Sequence, residues 1–91
     1  MAYQLVLTES YTRLALRFLT RHPELKRQYV KTLALLEANP HLPSLRLHAL
    51  AGKHPDLHAV SINLSYRITV ELLIHDQRIT PINVGDHDAV Y

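Results

Sequence analysis

Ninety-one residues suffice for one domain and leave no room for a second, so residues 1–91 are expected to fold as a single unit. The absence of cysteine excludes disulfides, thiolate nucleophiles and Cys-based metal centres, and two glycines, Gly52 and Gly85, are too few for a glycine-rich phosphate loop. Ten Lys and Arg against eight Asp and Glu leave a net charge of only +2, while 47% hydrophobic residues is far above what disordered chains carry.

The chain opens with Ala2 to Leu7, apolar, containing β-forming Tyr3 and Val6 and too short for a helix, which predicts a strand. Thr8 offers an N-cap and Glu9 puts negative charge in the first turn of a following helix. Tyr11, Leu14, Ala15, Phe18 and Leu19 then recur at i, i+3, i+4, i+7 and i+8, one apolar helical face. Arg13, Arg17 and Arg21 on the same helix repeat at i, i+4 and i+8, a stripe read first as solvated. Pro23 suits a helix N1 position, and Leu25, Tyr29, Leu33 and Leu36 carry a second helix until Asn39 and Pro40 stop it. Together these predict a helical hairpin.

After Pro43 the pattern is irregular, with Leu45, Leu47 and Leu50 leading to Gly52. The period then changes to two. Val60, Ile62 and Leu64 alternate with Ala59, Ser61 and Asn63, and beyond Ser65 the residues Tyr66, Ile68, Val70, Leu72 and Ile74 alternate with Arg67, Thr69, Glu71 and Leu73. His75-Asp76-Gln77 predicts a turn, and Arg78 to Val84 a last strand in which Pro81 demands an edge, a bulge or an early break. The order β-α-α-β-β-β implies an α+β domain, a helical hairpin packed on one face of a largely antiparallel four-stranded sheet. Arg67, Thr69 and Glu71 fall on the face that the helices leave uncovered. No apolar run reaches membrane length and the start of the chain shows no export signal, so a cytoplasmic protein without membrane contact is expected.

Chemistry concentrates in two places. Between Arg46 and Arg67 lie His48, Lys53, His54 and His58 against a single acid, Asp56, a patch suited to phosphate. Gly85 then permits a bend that brings His87 toward the same face. His54 and His58 have an i, i+4 spacing that zinc sites use, but Pro55 between them weighs against it, and no metal or cofactor is expected.

The Leu47-x-x-Leu50-x-Gly52 segment, the Ser65-Tyr66-Arg67-Ile68 strand start and the closing Val84-Gly85-Asp86-His87-Asp88-Ala89-Val90-Tyr91 resemble the RelE/ParE superfamily of bacterial type II toxin–antitoxin toxins. The similarity is greatest to the histidine-bearing YafQ-like branch. It implies the RelE-like fold, a ribosome-dependent mRNA endonuclease, and neutralisation by a cognate antitoxin through which alone DNA is contacted. By that resemblance His48 matches the histidine before the glycine, His87 the C-terminal catalytic histidine, Arg67 the phosphate-binding arginine and Tyr91 the terminal tyrosine. The match is incomplete. Where the branch places another histidine and an aspartate this chain has Ser61 and Ser65, and where RelE-like members place lysines it has His58 and Val60, so His58 and Asp56 become substitutes from nearby positions.

Metal-free RNA cleavage needs a base for the 2′-hydroxyl proton, an acid for the leaving 5′-oxygen and fixed positive charge on the phosphate. Histidine suits the two proton transfers and a guanidinium the third. The expected catalytic set is therefore His48 as base, His87 as acid with the labels exchangeable, Arg67 as clamp and His58 in reserve. Arg46, Lys53 and Tyr91 are the RNA-binding candidates, Tyr91 by stacking on a base. His22, His41 and His75 sit beside turn signals and are read as structural, and the arginine stripe of the first helix is a lesser candidate for ribosomal RNA or an acidic antitoxin segment. The alternatives are a ParE-like toxin that binds gyrase and cleaves nothing, and a catalytically inactive relative.

Overall fold

In a computed structural model, residues 3–50, 52 and 54–86 are described. They form β1 (Gln4–Leu5), α1 (Glu9–Arg21), a 3₁₀ turn Pro23–Leu25, α2 (Lys26–Ala38), a second 3₁₀ turn Pro43–Leu45, then β2 (His48–Ala49), β3 (Leu57–Ser61), β4 (Tyr66–Leu73) and β5 (Arg78–Asp86). Thr8 caps α1, its Oγ1 accepting the Tyr11 N–H at 3.1 Å. Pro23 starts the turn that leads into α2, and Asn39 closes that helix, its N–H donating to the Leu35 carbonyl. The α+β class is as expected, a helical hairpin on one face of a sheet.

That sheet has five strands in the order β1-β5-β4-β3-β2, one more than anticipated. β2 pairs with β3 through His48↔Ala59 and Ala49↔His58 only, a two-residue strand that leaves no alternation to detect. β1 lies parallel to β5 while all other neighbours are antiparallel. The first strand is also shorter than Ala2 to Leu7, because the chain leaves the sheet to reach the Thr8 cap.

Tyr11, Ala15, Phe18, Leu25, Tyr29 and Leu36 of the helical layer meet Val60, Ile62, Ile68, Val70, Leu72, Ile79 and Val84 of the sheet. Two leucine-like positions leave that pattern. Leu64, in phase with Val60 and Ile62, is 81% exposed, because β3 ends at Ser61 and Asn63 Oδ1 accepts the N–H groups of Ser65 and Tyr66 at 2.8 and 2.9 Å. That side-chain turn lifts Leu64 to the tip. Ile74 likewise lies past the end of β4 and is exposed.

Pro81 is accommodated by both an edge and a bulge. Gln77 and Ile79 direct their carbonyls to β1, accepting from Gln4 and Val6, and Pro81 has the same parity just beyond the end of β1, so its missing N–H removes no ladder bond. Val70 then pairs with Pro81 but Thr69 with Asn83, leaving Ile82 as the extra residue of a β-bulge.

Candidate active site

Cross-strand partners share a face of the sheet, so the pairing register states which side chains stand together. One row on the face away from the helices runs His48, Ala59, Thr69, Asn83 across four strands, and the next runs Ser61, Arg67, Gly85. His48 and Arg67 therefore occupy one face, two strands apart and offset by two residues, about 12 Å between Cα atoms from standard strand dimensions. That separation leaves room between an exposed imidazole and a long guanidinium for a group of phosphodiester size.

His48 is held by its own loop. Arg46 adopts a left-handed conformation, φ 50°, where the 3₁₀ turn ends, and its carbonyl accepts a hydrogen bond from His48 Nδ1 at 2.9 Å. In a neutral ring that bond places the proton on Nδ1 and the lone pair on Nε2, the form a general base requires. The Arg46 side chain is exposed beside it. Arg67 is half-buried, its Nε out of contact with solvent. Centrally, Ala59 and Thr69 are buried even though this face carries no helices, and Thr69 Oγ1 has no hydrogen-bond partner among the described residues.

His58 does not join this set. β3 begins at Leu57, so His58 has the parity of Val60 and pairs with buried Val70 on the helix side, with Nδ1 3.1 Å from the Asp56 carbonyl. The substitution of His58 for a missing catalytic group is corrected accordingly: strand phase turns it away from His48 and Arg67. His54 remains in the loop, its Nδ1 accepting the Asp56 N–H. Lys53, His87 and Tyr91 lie outside the described residues. Ser61, noted in the sequence only as a departure from the branch it resembles, shares this face, and so does Asn83, which the sequence did not single out and which has its place because the bulge at Ile82 inverts the alternation of β5.

No protein-family model matches the chain, and no curated protein matches it at a significant level. Solved structures do. The chain superposes on a chain of the E. coli DinJ-YafQ toxin–antitoxin complex with a TM-score of 0.78 at 13% identity, covering 100% of this chain and 99% of that one. This is the RelE/ParE toxin fold. A variant of E. coli RelE in the free state gives a TM-score of 0.66 at 23% identity over 98% of this chain and 87% of that one. A YoeB/ParE toxin from Agrobacterium tumefaciens gives 0.67 at 17% identity over 92% and 98%. The RelE-like fold thus spans nearly the whole of each chain, and the helix-free face of its sheet holds His48 and Arg67.

Proposed function

We propose that this protein is the toxin of a type II toxin–antitoxin pair and cleaves mRNA on the ribosome without a metal or cofactor, in the cytoplasm. The observation that carries the reading is the placement of His48 and Arg67 on one uncovered sheet face of a fold shared with YafQ and RelE toxins. His48 Nε2 removes the proton of a ribose 2′-hydroxyl, whose oxygen attacks the adjacent phosphorus. The P–O5′ bond breaks, the leaving 5′-oxygen takes a proton from the acid, and the products are a 2′,3′-cyclic phosphate and a 5′-hydroxyl. Arg67 stabilises the charge that builds on the phosphate oxygens. His87, next in sequence to Asp86 at the end of β5, is the proposed acid, with Arg46 and Lys53 on flanking phosphates and Tyr91 against a base. The partner that neutralises the toxin is an antitoxin, as in the DinJ-YafQ complexes.

Expression of the protein is expected to arrest growth and cut polysomal mRNA at defined codons, with His87→Ala relieving the arrest. His48→Ala is expected to slow cleavage by roughly 10²- to 10⁴-fold, the range of a general acid–base group. Intact mRNA together with inhibited gyrase would overturn the nuclease in favour of a gyrase-directed toxin.

A further inference from the structure

A cleft of about 420 Å³ lies between the second half of α1 and the last residues of β5, lined by Arg17, Phe18, Arg21 and His22 on one wall and by Tyr66 and the Asn83–Asp86 stretch on the other. Three of its rings form a cluster. Phe18 and Tyr66 meet edge to face at 5.4 Å between centroids, His22 lies 4.9 Å from Phe18 and 4.8 Å from Tyr66, and the Tyr66 hydroxyl is 3.5 Å from His22 Nδ1. Arg17 and Arg21 stand one helical turn apart at its mouth, both exposed. Arg13 pairs with Glu9, but among the described residues neither Arg17 nor Arg21 has an ion pair. The apparently uniform arginine stripe of α1 is thus divided between a surface ion pair and a pair of cations facing a ringed cleft.

Two ligand classes use arginines beside an apolar wall, an acidic polypeptide and a nucleic acid strand. An extended acidic peptide would draw affinity from main-chain bonds to the uncovered edge of β5. That edge is closed to it: Pro81 has no N–H, and the outward N–H of Val84 already donates to Asn83 Oδ1 at 2.9 Å. A nucleotide needs no strand edge. It needs a ring platform for the base and a cation for the phosphate, and the cleft offers both. Its volume is that of small-ligand sites. The cleft lies on the helix side and reaches the end of β5 that also borders the active face, since Gly85 in its wall is the cross-strand partner of Arg67.

We propose that this cleft is a ribonucleotide subsite for the RNA strand flanking the scissile phosphate, with a base stacked on Tyr66 and His22 and a backbone phosphate held by Arg17 and Arg21. It rests on the nuclease reading for its place on the substrate, and not for its chemistry. The test is fluorescence anisotropy with a labelled 2′-O-methyl RNA pentamer, which binds and is not cut. Arg17→Gln with Arg21→Gln is expected to weaken binding about tenfold and to flatten the dependence of log K on log salt by about 0.7, the value for one phosphate contact on a single strand. Tyr66→Leu, which keeps apolar bulk, is expected to lose about tenfold, the lower part of the range for one stacked base. A change under twofold and an unaltered salt slope in the double arginine variant would overturn the subsite, as would a hexaglutamate peptide that displaces the pentamer from wild type but not from that variant. If wild type cuts no RNA yet binds the pentamer through Arg17 and Arg21, the subsite stands and the nuclease reading falls. If it cuts RNA and binding ignores both arginines, the reverse holds.

Discussion

Beneath α1 and α2 the Tyr11 and Tyr29 hydroxyls share a 2.7 Å hydrogen bond, both side chains being buried. Removing one partner strands the other, whereas removing both leaves apolar surface. Tyr11→Phe is expected to cost about 1–2 kcal/mol and Tyr11→Phe with Tyr29→Phe less than the sum of the single changes, measured by urea unfolding. Burial, and then the Tyr29 hydroxyl, hold the Tyr11 phenol far above the usual tyrosine range. Burial also raises Tyr29, against the pull of its bond from Tyr11. Both groups are thus neutral in the fold, while the unfolded phenols ionise near pH 10. Their contribution is complete below about pH 10 and is lost as pH rises above it, since the unfolded chain then holds fewer protons than the native one. Melts from pH 9 to 11 should fall less steeply for the double phenylalanine variant than for wild type. His48 shows the same residue scale, where a single carbonyl, that of Arg46, fixes the orientation of the ring through Nδ1.

Among the elements, the turns carry more information than the strands they join. Gln77 closes the β4–β5 connection at φ 52°, a left-handed conformation that is unfavourable for any residue with a Cβ. Gln77→Gly is expected to stabilise by up to about 1 kcal/mol, the relief of strain exceeding the entropy gained by the unfolded chain. Asn63→Ala is expected to act oppositely, since it removes the acceptor for the Ser65 and Tyr66 N–H groups at the start of the strand bearing Arg67, with a loss of about 1–2 kcal/mol. Thermal unfolding of the two variants checks both signs. β5 shows the same logic in its edge, where a proline and a side-chain cap remove the N–H groups another strand would seek.

For the whole molecule, the deciding fact is that one sheet has two unlike faces. Leu36, fully buried between α2 and the sheet, and Leu64, at a turn tip, are both leucines in apolar phase with their neighbours. Leu36→Ala is expected to cost about 2–5 kcal/mol through the cavity it leaves, a large share of the roughly 5–15 kcal/mol that keeps a domain folded. Leu64→Ala should change stability by no more than about 0.5 kcal/mol. Denaturant midpoints at a common slope would show the contrast. Among the described residues the opposite face carries no helix, and His48, Ser61, Arg67 and Asn83 stand together on it.

Helical periodicity, the Thr8 cap, the stops at Asn39 and Pro40 and the alternation of β4 are local properties. Each follows from neighbours within a few residues, so the helical hairpin, the α+β class and the outward phase of Arg67 were legible in the amino-acid order. Sheet membership of His48 and the place of Asn83 were not, and the parity of His58 with Val60 was legible without the start of the strand that makes it count. His48 joins the sheet through two pairings with residues ten or so positions away, too few to leave a periodic trace. The phase of His58 depends on where β3 begins, and that of Asn83 on one inserted residue, Ile82, which reverses every side chain after it. Local order chose which groups the chain carries, and long-range register chose which of them meet, because a side chain in a strand has only two directions and a shift of one residue exchanges them.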